Sequence, residues 1–92
     1  MAVAFIFTIK DATQAQYDES IKKLGEAGAG SPKGRLYHVA GAEEGGWKVI
    51  DVWESKEDWE NFLKGSLGKI LQEVGMSQPQ IDSFPVHNVI QG

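Results

Sequence analysis

Residues 45–55, GGWKVIDVWES, decide the fold. Alternation puts Trp47, Val49, Asp51 and Trp53 on one side of a strand and Ile50 and Val52 on the other. Glu43-Glu44-Gly45-Gly46 in front of it is turn chemistry, and residues 35–42 form a second extended run. Residues 35–54 therefore read as a β-hairpin. A carboxylate at Asp51 among indoles is out of place in a packing strand and points toward a pocket.

Working outward, residues 2–9, AVAFIFTI, are apolar on both faces, as in a central strand. Thr13 with Gln16 has capping-box spacing, and Tyr17, Ile21 and Leu24 follow at helical intervals until the Gly/Ala-rich stretch 25–30 and Ser31-Pro32. Ser55 with Asp58 opens a second helical pattern through Trp59, Phe62, Leu63, Leu67, Ile70, Leu71 and Val74. Gly65-Ser66 and Gly68 interrupt it, which predicts either two short helices or one kinked helix, with Gly75 as its cap. A last strand is expected over 81–90, at an edge or bulged because of Pro85. The order β-α-β-β-α-β is the α+β, ferredoxin-like arrangement with a four-stranded antiparallel sheet. Residues 1–92 make a single domain without linker or repeat.

Composition narrows the function. A net charge of −4, with scattered basic residues, disfavours nucleic-acid binding. No cysteine is present, so disulfides, thiolate metal sites and cysteine nucleophiles are excluded. The N-terminal apolar run has no basic flank and no cleavage signal, and nothing approaches the ~20 apolar residues of a membrane span. A cytoplasmic protein without membrane attachment is the expectation. The only histidines are His38 and His87, with no ligand spacing around them, so neither metal nor cofactor is expected.

Helices cover only one face of such a sheet, yet both faces of the first and third strands are apolar. A second copy of the chain is the economical cover, giving a homodimer. Ile50 and Val52 on the exposed face are the candidate dimer-contact residues.

Gly34-Arg35-Leu36-Tyr37 before the hairpin, and Val52-Trp53-Glu54-Ser55 running into an acidic helix start, resemble the dimeric α/β-barrel superfamily. The resemblance is greatest to small antibiotic-biosynthesis-monooxygenase-like proteins and covers nearly the whole chain. It implies a dimeric α/β barrel with a site between sheet and helices in each subunit. It also implies that the last-strand region meets the partner subunit, which makes His87 and Asn88 on the last strand candidate dimer-contact residues. The superfamily contains cofactor-independent oxygenases acting on polycyclic phenols, haem-degrading enzymes, decarboxylases and isomerases, as well as proteins without an assigned role. The haem-degrading branch relies on a helical histidine, and this chain has none in a predicted helix.

A turn centred between Glu44 and Gly45 makes paired residue numbers sum to 89. His38 then faces Asp51, Ala40 faces Val49, and Leu36 faces Trp53. An odd loop would instead bring Tyr37 to Asp51. In the first register His38 and Asp51 are the candidate catalytic pair, His38 as general base and Asp51 orienting it, since imidazole titrates near neutrality. Trp53, Trp47, Tyr17 and Leu36 are the candidate ligand-binding residues for a small aromatic or apolar molecule, whereas Trp59 is assigned to the core. A His–Asp pair in a sheet also serves simply to fix strand register, and strand tryptophans also serve simply as packing. The two functional readings are a cofactor-independent monooxygenase-like enzyme and a non-catalytic ligand-binding or stress-associated dimer.

Overall fold

A computed structural model describes residues 1–92. Strand β1 (Val3–Lys10) is followed by α1 (Gln14–Glu26), the hairpin β2 (Arg35–Glu43) and β3 (Gly46–Trp53), the helical run α2 (Lys56–Phe62) to α3 (Gly68–Glu73), and β4 (Gln80–Pro85). The four strands form one antiparallel sheet in the order β2-β3-β1-β4. This is the ferredoxin-like βαββαβ fold, with the helices on one face.

Local chemistry sets the element ends. Thr13 and Gln16 form the complete capping box of α1: Thr13 Oγ1 accepts from the Gln16 N–H at 3.1 Å, and the Gln16 side chain accepts from the Thr13 N–H at 3.0 Å. Ser55 caps α2 by accepting from the Asp58 N–H at 3.1 Å. The hairpin closes between Glu43 and Gly46, with Gly45 at φ 79°. Gly46 leaves no room for a side chain, because a Cβ there would stand 2.3 Å from the Ile9 carbonyl oxygen on β1.

The interrupted second helix resolves differently from either expectation. Residues 63–67 form a π-helical turn joining α2 to α3, and the backbone stays helical through both junctions. The Gly68 N–H reaches the Leu63 carbonyl, and a Cβ at Gly68 would lie 2.8 Å from that oxygen. The extra residue in the turn brings Phe62 and Leu67 to the same wall beneath the sheet.

The core lies between sheet and helices and is built mainly of aromatic rings. Trp59 packs on Phe5, Phe7 and Trp53 with centroids 5.7, 4.9 and 5.8 Å away, the last edge-on. Trp53 is fully buried. The opposite face of the sheet has no helix. On it Val39, Phe84 and Ile50 are 62%, 53% and 42% exposed.

The expected last strand, 81–90, is shorter than its hydrophobicity suggested. It pairs with β1 only as far as Pro85, opposite Val3. Pro85 has no N–H to extend a ladder, and residues 86–92 form an irregular tail. The tail turns back over the sheet: the Val86 N–H donates to the Ala2 carbonyl, and the Gln91 amide donates to the Tyr37 hydroxyl on the far edge strand. His87 and Asn88 therefore sit on this exposed tail and not on a strand.

Candidate functional site

The hairpin register places His38 opposite Asp51 and Ala40 opposite Val49. His38 Nδ1 lies 2.6 Å from Asp51 Oδ1, and His38 Nε2 lies 2.6 Å from the Tyr17 hydroxyl. The other carboxylate oxygen, Asp51 Oδ2, accepts from the Trp53 indole N–H at 3.0 Å. Four side chains from α1, β2 and β3 thus form one hydrogen-bonded chain.

The chain of bonds fixes proton positions. A carboxylate only accepts, so Nδ1 of His38 carries a hydrogen and donates to Asp51. In the neutral ring Nε2 is then the acceptor, and the Tyr17 hydroxyl donates to it. Asp51 is only 4% exposed, and both of its oxygens are satisfied, by His38 and Trp53. Tyr17 lies nearly parallel to the imidazole, 7° between planes, and packs its ring 5.2 Å from Trp47. The Trp47 indole N–H is buried without a hydrogen-bond partner, and nothing in the structure accounts for it.

Tyr17 and His38 open onto a cavity of about 80 Å³. Its walls are mostly apolar and include Phe7, Val49, Trp59, Phe62, Leu67 and Met76, with Asp51 and Arg35 as the charged members. The volume is roughly half that of a cavity that admits benzene, ~150 Å³. A ring-sized ligand therefore requires side chains to give way, and Leu71 on α3 and Met76 in the loop after it are the adaptable ones.

Three expected ligand-wall residues stand elsewhere. Trp53 does not line the cavity; it is buried behind Asp51 as that carboxylate's donor. Trp47 is likewise buried; it packs against Tyr17 and does not line the cavity. Leu36 was expected opposite Trp53. A β-bulge between Arg35 and Tyr37 instead pairs Arg35 with Trp53 and leaves Leu36 48% exposed. Trp59, assigned to the core from its helical position, both packs in the core and lines the cavity. Arg35 was missed altogether, because without the bulge alternation places it on the opposite face.

Burial holds the Tyr17 hydroxyl above its ordinary pKa of 10.0; Arg35 opposes the shift, while Asp51 and Asp18 add to it. A raised folded-state pKa means that the folded chain holds this proton more tightly than the unfolded one. The associated stability is present below the ordinary tyrosine value and is lost as pH rises through the folded-state value. As pH rises above about 10 the urea midpoint of the wild type should fall more steeply than that of Tyr17→Phe. Parallel curves would show that Tyr17 is not held protonated by burial.

No cluster of three or more His, Cys, Asp or Glu side chains is placed to hold a metal ion, and no helix is long and apolar enough to cross a membrane. Neither histidine is on a helix.

No family model matches the chain, and no curated protein matches it. Solved structures do. A protein from Chloroflexus aurantiacus, described as a candidate antibiotic biosynthesis monooxygenase, superposes with TM-score 0.68 at 23% identity over 100% of both chains. SnoaB, a cofactor-independent oxygenase from Streptomyces nogalater, gives 0.69 at 13% identity over 99% of this chain and 98% of its own. A dimeric ferredoxin-like protein of unknown function from Thermobifida fusca gives 0.66 at 13% identity over 94% and 92%. At these identities the likeness is one of fold: the chain carries the ferredoxin-like βαββαβ fold of the antibiotic biosynthesis monooxygenase proteins.

Proposed function

We propose that the chain is a cofactor-independent, monooxygenase-like enzyme that deprotonates a small phenol or enol in the cavity beside Tyr17 and His38. The observation that carries this reading is the Tyr17–His38–Asp51 chain at the wall of an otherwise apolar cavity. A structural His–Asp couple needs no third, ionisable hydroxyl at a cavity surface. Tyr17 can accept a proton from the substrate oxygen as it passes its own to His38 Nε2, and Asp51 stabilises the imidazolium that results. The apolar walls exclude water, and the deprotonated substrate is electron-rich enough to reduce dioxygen. In the overall step a methylene conjugated with the phenol becomes a carbonyl, taking one oxygen atom, and the other oxygen leaves as water with the two hydrogens. Dioxygen is the oxidant and the substrate the reductant, so no resident cofactor is required. The fold shared with SnoaB is consistent with this chemistry. The test is oxygen uptake by the purified protein across a set of phenols that carry a conjugated methylene. Uptake that depends on His38 supports the reading, and absence of uptake with every phenol that binds rejects the enzyme in favour of a ligand-binding dimer.

The functional unit on this reading is a homodimer in the cytoplasm. The helix-free face exposes Val39, Phe84 and Ile50 beside half-buried Val52, an apolar surface of the kind that a second copy covers. On this reading His87 and Asn88, carried on the tail that turns back over the sheet, contact the partner. Sedimentation equilibrium at micromolar concentration should give twice the 10.1 kDa chain mass, and a single-chain mass would count against the dimer.

A further inference from the structure

The β-bulge on β2 changes what faces the cavity. Paired residues sum to 89 from Gly46 up to Val52, and continuing that register to the start of β2 would set Leu36 against Trp53 and turn Arg35 to the helix-free side. The bulge between Arg35 and Tyr37 reverses this. Leu36 is expelled to solvent, and an arginine enters the apolar wall. Bulges disrupt pairing locally, and they recur beside sites where a side chain must be re-aimed. Exchanging a leucine for a guanidinium at the edge of a hydrophobic cavity does nothing for packing.

Arg35 is also underused by the protein. It forms no salt bridge, and its one side-chain hydrogen bond is from Nη2 to the Gly30 carbonyl at 3.0 Å. A guanidinium has five N–H donors in a planar fork suited to a carboxylate. It is the only Lys or Arg on the cavity wall, and it is half-buried. Arg35 and His38 pair with Trp53 and Asp51, two residues apart on β3, so they are rooted about 7 Å apart on one sheet face. That separation is of the order spanned by a single aromatic ring carrying polar groups at opposite ends. At about 80 Å³ the cavity takes even a single ring only as wall side chains give way, which disfavours a polycyclic ligand.

We propose that Arg35 forms an anion subsite, and that the preferred ligand is a monocyclic hydroxylated aromatic carboxylate. Its carboxylate sits on the Arg35 guanidinium, its ring on the apolar wall, and its hydroxyl against Tyr17 and His38. The inference rests on the proposed function for the hydroxyl end only, and the carboxylate end stands on Arg35 alone.

The experiment is an NMR titration of the full chain with 4-hydroxybenzoate and with its neutral counterpart 4-hydroxybenzamide, on wild type, Arg35→Gln and Arg35→Lys. The acid should bind the wild type at least about tenfold more tightly than the amide. Arg35→Gln should abolish that preference while leaving amide binding as an internal check of the cavity. Arg35→Lys keeps the charge but loses the fork, and should keep part of the preference; it decides the matter if Arg35→Gln does not fold. Equal binding of acid and amide by the wild type, a preference that survives in Arg35→Gln, or no binding of either probe each overturns the proposal. An acid preference without oxygen uptake by any phenol would leave the subsite standing and reject the enzyme. Oxygen uptake from neutral phenols without an acid preference would do the reverse.

Discussion

Replacing His38 with Gln should lower the turnover of a phenol by roughly 10²–10⁴-fold while changing its affinity little. Glutamine can still donate to Asp51 Oδ1 and accept from the Tyr17 hydroxyl, so the hydrogen-bonded chain keeps its shape. It cannot become a cation. Tyr17 then has nowhere to send its proton, and partial burial disfavours its own ionised form. The loss should fall on kcat, because the cavity walls that hold the ring are untouched. Oxygen uptake under substrate saturation measures kcat, and ligand titration measures the affinity. A His38→Gln protein with wild-type kcat would remove His38 from the chemistry and reduce the His38–Asp51 pair to a register device.

Trp53→Ala should be the most damaging single change to stability, by about 3–5 kcal/mol, from cavity formation alone. Trp53 is the one large side chain with no exposed surface, and its ring packs on Trp59 and Phe62 at 5.8 and 5.5 Å. Its removal also takes the 3.0 Å indole donor from a carboxylate that is almost completely buried. An acceptor orphaned in that position adds about 1–3 kcal/mol more. Small domains have only some 5–15 kcal/mol in total, so the variant should be largely unfolded near 37 °C. Trp53→Phe keeps most of the volume and loses only the donor, so it should fold with a reduced urea midpoint and an unchanged m-value. A Trp53→Ala protein that melts within a few degrees of the wild type would mean that Asp51 is not held through Trp53.

The fold was legible because its signals are local and mutually consistent. The capping pair Thr13–Gln16 and the alternation of residues 47–53 each have one structural reading, and the glycine turn left open only the length of its loop. A two-residue turn was enough to bring His38 against Asp51. Sequence reading failed where one inserted residue resets a period. The bulge at Leu36 exchanges it with Arg35, and nothing in Gly34-Arg35-Leu36-Tyr37 marks an extra residue. The π turn at 63–67 does the same for the helix, and the glycines that permit it read equally well as a break. Trp53 and Trp59 fell on the correct faces, but face alone does not say which aromatic is nearer the cavity. That depends on depth, which alternation does not encode. The last strand was over-extended because Val86, Val89 and Ile90 look like strand residues, whereas ladder pairing stops at Pro85.

The decisive measurement is the absorption spectrum of 4-nitrophenol bound to the protein, taken at a pH where the free phenol is mostly un-ionised. If Tyr17, His38 and Asp51 together accept a proton from a ligand hydroxyl, the bound probe should show the phenolate band in the wild type and lose it in His38→Gln. A probe that binds and keeps the spectrum of the neutral phenol, or that ionises equally in both proteins, would contradict the assignment of this side-chain chain as a proton-accepting site.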